Sequence, residues 1–191
     1  MIEGGLIKML EQNKINVDVY KLFVQTIVEV NSIELMANKL TQLVVGALGI
    51  KGATVFVLDP DKETLEILAT AGLSNDYIQK GPVLVDKSIK LGPNREPVII
   101  NDVLSSDKLQ YPENAKSEGI GAIVSYPIKM RSKIIGALRL YHSEKWDISE
   151  NDLHFIEALA MNIGAALMYF RLATAVKSVK DTVGDIHPIW L

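Results

Sequence analysis

SYPIKMRSKIIGALRLY, residues 125–141, decides the fold. It begins inside AIVSYPI (122–128), a run rich in β-branched residues that suit a pleated, half-buried surface. A polar stretch, KMRSK (129–133), follows, and IIGALRLY (134–141) is a second apolar run. Two such runs joined by a short polar loop read as an antiparallel hairpin. Arg139 interrupts the second run. Side chains alternate across a strand, so Ile135, Ala137, Arg139 and Tyr141 take one face. Ile134, Gly136, Leu138 and Leu140 take the other. The second set is more consistently apolar and is assigned to terminal helices. Arg139 and Tyr141 then point to the opposite, loop-covered side. In the preceding strand Val124, Tyr126 and Ile128 share a face, and one possible register sets Tyr126 against Arg139.

Outward from this hairpin, the chain alternates in texture. GATVFVLD (52–59), the turn DPDKE (59–63) and LEILATA (65–71) form a second hairpin. Between Gly72 and Gly119 the signals mix: PVLV (82–85) and PVII (97–100) read as short edge strands among long loops. Loops of this kind often carry function because a rigid scaffold presents them. Helices flank the strands. One spans about 33–48, with Asn31 or Ser32 as its cap, Met36, Leu40, Leu43, Val44 and Ala47 on one face, and Gly49 as its exit. The last begins at Ser149, three residues before Asp152, an approximate capping box. It carries a seam of Leu153, Ile156, Ala160, Ile163, Leu167, Phe170 and Thr174 and is expected to end at Gly184. An N-terminal seam of Leu6, Leu10, Asn13, Val17, Tyr20, Val24 and Ile27 reads either as a coiled-coil strand or as an amphipathic helix on its own domain. The division expected is 1–31 for this segment, 32–170 for the domain and 171–191 for a helical extension and tail. Strong strands with helices at both ends define an α+β class, with an antiparallel sheet covered by helices on one face.

Composition narrows the function. The absence of cysteine excludes disulfide scaffolds, cysteine-held metals, thiol catalysis and thioether attachment of a cofactor. A formal charge of −3 gives a phosphate backbone little to bind, so nucleic acid is not an expected partner. The basic residues of RLATAVKSVK (171–180) suit a helix C-terminal end and solvent instead. No uninterrupted run of membrane-spanning length appears, and MIEGGLIKMLEQNK lacks the features of a signal peptide. A cytoplasmic protein without a membrane partner is expected. His142, His154 and His187 show no metal-binding spacing, no G-x-S-x-G motif occurs, and no phosphate-binding glycine loop is present. An enzyme is therefore not expected.

Taken in order, several pieces resemble the GAF domain family over roughly residues 30–170. They are the helix near 33–48, GATVFVLDPDKETLEILATAGL (52–73), EPVIINDV (96–103), and the stretch from Tyr111 to Leu167 containing the opening hairpin and the capped helix. PAS domains share the sheet-and-pocket plan but fit this order less well. The resemblance implies a central antiparallel sheet, helices on one face, and loops or short helices over the other enclosing a small-molecule pocket. It implies a regulatory, signal-sensing role beside an output module, or a ligand-free dimerising spacer. The chain departs from two branches of the family. The N-K-x-x-x-F-x-x-x-D/E signature of cyclic-nucleotide binders is missing, since the NK of EQNKINVDVY (11–20) lies in the leading helix without the phenylalanine or the acid at the right spacing. No cysteine is present to attach a bilin or reduce a sulfoxide. The cofactor, if any, is unknown. A homodimer through the terminal helices is expected, with output through a separate partner or a segment beyond this chain.

Five residues are candidates for ligand contact: Arg139, Tyr141, Tyr126, Asp102 and Tyr111. A guanidinium over an enclosed sheet face can clamp a carboxylate or phosphate. It can equally pair with an acid such as Asp102 or reach to water at the rim. Tyr126 and Tyr141 offer rings and hydroxyls. Asp102, with Asn101, either caps the next segment or pairs with the arginine. Tyr111, before Pro112, either lids a pocket or fills a loop core. Arg95 is read as solvent-exposed and Phe56 as core.

Overall fold

The structure, a computed structural model, describes residues 17–88 and 96–186. Leu6, Leu10 and Asn13 of the first seam, Arg95, His187 and the tail residues Ile189, Trp190 and Leu191 lie outside the described residues. Six strands form one antiparallel sheet in the order β3-β2-β1-β6-β5-β4. They are β1 Gly52–Asp59, β2 Thr64–Ala71, β3 Val83–Leu84, β4 Val98–Ile100, β5 Ala122–Met130 and β6 Lys133–His142. The two hairpins read from sequence are β1–β2 and β5–β6, and β6 pairs with β1 to join them at the centre.

Three helices cover one face: α1 Val17–Glu29, α2 Ile33–Leu48 and the 37-residue α6 Glu150–Ile186. Ser32 caps α2, its hydroxyl accepting from the Leu35 N–H at 3.4 Å, and Gly49 ends it in the left-handed region at φ 62°. That conformation costs glycine nothing and most other residues something. At the start of α6 the Ser149 hydroxyl accepts from the Asp152 N–H at 3.1 Å and donates to the Asp152 carboxylate at 2.9 Å. The periodic apolar faces of these helices bury Met36, Leu40 and Val44 on α2 and Ile156, Leu159 and Ile163 on α6 against Val55, Val124, Leu138 and Leu140 of the sheet. Area removed from water is the main stabilising term here, roughly 25 cal/mol per Å² of apolar surface. α1 packs on the same core through Phe23, which meets the Phe155 ring edge-on at a 5.8 Å centroid distance. Over residues 17–29 the first seam is thus an amphipathic helix on its own domain.

Three corrections to the sequence reading follow. First, α6 continues to Ile186, past Gly184. Second, Ile156, Ala160, Ile163 and Leu167 of its apolar seam are buried in the domain's own core, so they have no free face for a partner. Third, the alternation along β6 breaks. The β5–β6 register shifts between Ile128 and Lys129, pairing Ile128 with Gly136 but Lys129 with Ile134. One extra residue at such a bulge flips the phase. Ile134 therefore packs on the loop side and Ile135 against the helix-side core, the reverse of strict alternation. By length and composition Glu150–Thr182 could cross a membrane, but its inner face is the core helix described above.

The other face of the sheet is covered by residues 72–88 and 96–121. They contain α3 Asn75–Ile78, α4 Val85–Ser88 and α5 Pro112–Ser117 besides the short strands. Two apolar clusters form beneath it. One joins Phe56, Leu65, Val83, Val85, Ile134 and Ala137. The other joins Tyr77, Ile100, Val103, Ala115, Ile120, Ile123 and Tyr141.

Candidate functional site

A polar row separates those two clusters. Thr70 on β2 pairs with Thr54 on β1, Thr54 with Arg139 on β6, and Arg139 with Ser125 on β5. Directly paired residues share a face, so four adjacent strands each present one polar side chain to the loop side. The Thr54 and Thr70 hydroxyls are 3.0 Å apart. Thr54 and Ser125 are each 1 % exposed and Arg139 is 8 % exposed.

Arg139 lies at the centre of the row. Its Nε donates to Ser125 Oγ at a long 3.4 Å, and its guanidinium carbon is 5.3 Å from the Phe56 ring centre. None of the ion pairs among the described residues includes it. A buried guanidinium is almost always matched by an acid or an anion, because taking an unpaired charge out of water is costly.

Above Arg139 is a cavity of about 40 Å³. Among the described residues its charged lining is Arg139, Lys80, Lys87 and Lys108, with no acid. Lys80 donates to the Tyr77 carbonyl at 2.9 Å and lies 3.7 Å above the Tyr77 ring centre. Burial, helped by repulsion from Arg139 and opposed by Glu118, pushes the Lys80 ammonium down to about 8. Glu118 is itself occupied: its carboxylate accepts from the Ser74 N–H at 3.0 Å and from the Ser74 hydroxyl, and lies 3.6 Å from Lys51. Those bonds tie the end of α5 to the start of α3 and hold its carboxyl below the usual range, against the opposing effect of burial.

Two of the lining residues, Gln110 and Tyr111, form a strap. Gln110 accepts from the Leu84 N–H at 3.1 Å and donates to the Pro82 carbonyl at 2.9 Å. The Tyr111 hydroxyl donates to the same carbonyl at 2.8 Å. These bonds join the 108–111 loop to the 82–84 segment over the cavity.

The five sequence candidates separate. Arg139 and Tyr111 line the cavity. Tyr141 stands behind them, 1 % exposed, its ring edge-on to Tyr77 at 5.7 Å and its hydroxyl close to Thr54 and Arg139. It supports the guanidinium from below. Asp102 does not approach Arg139. Its carboxylate accepts from the Leu104 N–H at 2.9 Å, a turn cap, and it lines a separate, open polar groove with Asn101 and Lys145. Tyr126 is on the wrong face. Its register partner is Leu138, and it packs on the helix-side core beside Glu157 of α6, where burial and that carboxylate push its hydroxyl up to about 12. Lys80, Tyr77, Ser125, Thr54 and Gln110 were not anticipated. A signal existed for two of them: Thr54 in GATVFVLD and Ser125 in AIVSYPI are lone polar residues in otherwise apolar strands. Among the described residues no three His, Asp or Glu side chains gather as a metal site. His142 stacks on Trp146, and His154 lies 3.8 Å from Glu157.

The sheet order, the helix-covered face and the loop-covered cavity define an α+β fold of the GAF/PAS kind. The GAF domain profile matches residues 30–168, and the chain belongs to the GAF domain family. The GAF domain of a phosphoenolpyruvate-protein phosphotransferase from Coxiella burnetii superposes with a TM-score of 0.73 at 18 % identity, covering 83 % of this chain and 96 % of that one. The corresponding Acinetobacter domain gives 0.70 at 19 % identity, over 84 % and 95 %. The phycocyanobilin-bound GAF domain of a cyanobacterial phytochrome gives 0.62 at 18 % identity, over 82 % and 95 %. At these identities the likeness is one of fold. No curated protein matches the chain.

Proposed function

We propose that this protein is a cytoplasmic, non-enzymatic regulatory domain that binds a small molecule in the Arg139 cavity and passes the signal through its terminal helices. The observation that carries this reading is the buried, acid-free guanidinium on the floor of a loop-covered cavity. A spacer domain has no need to bury such a charge. Ligand entry would have to loosen the Gln110–Tyr111 strap, and a ligand shifts that equilibrium only by its preference for one state. The terminal helices then act through a homodimer or a separate output partner. The surface proposed for pairing is a stripe on α6 formed by Met161, Tyr169, Leu172, Val176 and Val179, each more than half exposed. From Tyr169 onward its three- and four-residue spacings are those of a coiled-coil seam.

Thermal-shift screening of a metabolite panel, followed by calorimetry on each hit, tests the sensing reading. A hit lost in Arg139→Met supports it, and a panel without hits removes it. Sedimentation of the wild type and of Val176→Glu tests the pairing surface. The second reading is a ligand-free dimerisation domain, favoured by the cavity volume of about 40 Å³. It predicts the same sedimentation result with no ligand.

A further inference from the structure

The chemistry of the cavity selects a class of ligand. We propose that it binds a small oxyanion, a carboxylate or a phosphate, anchored by Arg139 with Lys80 as the second cation and enclosed by the Gln110–Tyr111 strap. The inference rests on the sensing reading and gives it a ligand class.

Charge is the first argument. Among the described residues four cations line the cavity and no acid does. The acid that acts on Lys80, Glu118, is engaged by Ser74 and Lys51. A bound anion would supply the counter-charge that the described residues withhold from Arg139. Geometry is the second. A guanidinium presents a planar fork that matches two oxygens of one carboxylate or phosphate. Ser125 holds Nε through a long, weak bond, which orients that fork without satisfying it. Environment is the third. Phe56, Val83 and Ala137 lie to one side of the polar row and Tyr77, Ile123 and Tyr141 to the other. Apolar walls lower the local dielectric and strengthen attraction between ion and cation. Size is the fourth. Ligand pockets for drug-sized molecules run to roughly 300–1,000 Å³. A cavity of about 40 Å³ admits an ion of a few heavy atoms with the strap closed, and larger ligands only with the strap displaced.

The site also carries a pH dependence. Lys80 is faced by Arg139, Tyr77 and Glu118. Its ammonium is charged below about pH 8 and neutral above. Anion affinity is therefore highest below that pH and falls as Lys80 loses its proton.

The test is calorimetry and thermal denaturation of the full chain with sodium acetate, oxalate, phosphate and sulfate, against chloride at matched ionic strength, at pH 7 and pH 9. Neutral metabolites, including adenosine and glycerol, run in parallel. The expected result is saturable binding of at least one oxyanion, with the carboxylate and phosphate arms identifying which. Affinity should fall about tenfold or more in Arg139→Met. It should fall less in Lys80→Met, which also removes the weakening between pH 7 and pH 9, and should not change in Tyr126→Phe. If Arg139→Met does not fold, Arg139→Lys takes its place and should weaken binding by spoiling the fork while keeping the charge. Binding of neutral compounds but no oxyanion overturns the ligand class and leaves the sensing reading intact. No binding in either arm removes both. An oxyanion bound equally by the wild type and by the folded Arg139 and Lys80 variants places the site elsewhere and overturns the proposal.

Discussion

Gly136 on β6 lies directly against Phe56 on β1: a Cβ built on Gly136 would sit 2.2 Å from the Phe56 carbonyl oxygen. The obstacle is backbone of the paired central strand, so it cannot swing aside. Gly136→Ala should destabilise the domain by about 3 kcal/mol, the upper range for overpacking. Gly46, exposed in α2, meets nothing within 4 Å. There Gly→Ala should stabilise by about 1 kcal/mol, the helix-propensity difference. Urea denaturation of both variants checks the opposite signs, and equal losses would refute the contact argument.

Without ligand, the Arg139 charge is a liability. Arg139→Met keeps the volume and removes the buried cation, so the variant should be as stable as the wild type or more stable by about 1–2 kcal/mol. A clear loss of stability in chemical denaturation would mean that Arg139 is a structural strut whose bond to Ser125 and contact with the Phe56 ring hold the sheet.

Ser149 caps the longest helix. Ser149→Ala removes the acceptor for the Asp152 N–H and should cost about 1 kcal/mol. Ser149→Asp should restore most of it. Thermal melts followed by circular dichroism read both.

Alkaline pH should act in two phases. Lys80 holds its proton less tightly folded than unfolded, so the unfolded chain binds the extra proton between about 8 and the usual 10.5. Stability from this group therefore rises with pH across that window. Tyr77 and Tyr141 are pushed up mainly by burial, and Tyr126 to about 12. Above pH 10 these three keep protons that the unfolded chain loses, and stability falls. Denaturation midpoints from pH 7 to 11 should show the rise disappear in Lys80→Met and the fall become shallower in Tyr126→Phe.

The Tyr111 hydroxyl is one of three bonds closing the strap. Tyr111→Phe should speed hydrogen exchange at the Leu84 amide by a few-fold while leaving the β1–β6 amides unchanged. Uniform acceleration across the sheet would mean global destabilisation and no local strap.

Much of this fold is legible in the sequence, and the reasons are local. The two hairpins announce themselves by β-branched runs around polar turns, and α2 by Ser32 and Gly49 at its ends. The helices of four to six residues in 72–121 are harder, because they are too short to show a 3.6-residue period. Their start signals are present all the same: Ser74 accepts from the Tyr77 N–H, and Pro112 occupies the first turn of α5. The bulge near Ile134 leaves no sequence mark, so the assignment of Ile134 and Ile135 inverted. Arg139 was correctly placed toward the loops, since it lies beyond the bulge. Tyr126 failed for a different reason: which residues oppose each other is a property of strand pairing, and Ser125 takes the place beside Arg139. Lys80 looks like any loop lysine in sequence. Its depressed ionisation comes from burial and from Arg139, a neighbour in space that is far away in the chain.

Over residues 150–182 of α6 the last buried side chain is Leu167, and every side chain from Arg171 to Thr182 is exposed. The helix nevertheless runs on to Ile186. At 1.5 Å per residue, that overhang projects about 28 Å beyond its final anchor. On the reading proposed above, it would act as a lever anchored in the core at Leu167. A tilt of about 10° at Leu167 would displace the far end by about 5 Å, close to one helical turn. The core need barely rearrange for whatever grips the overhang to feel a large movement.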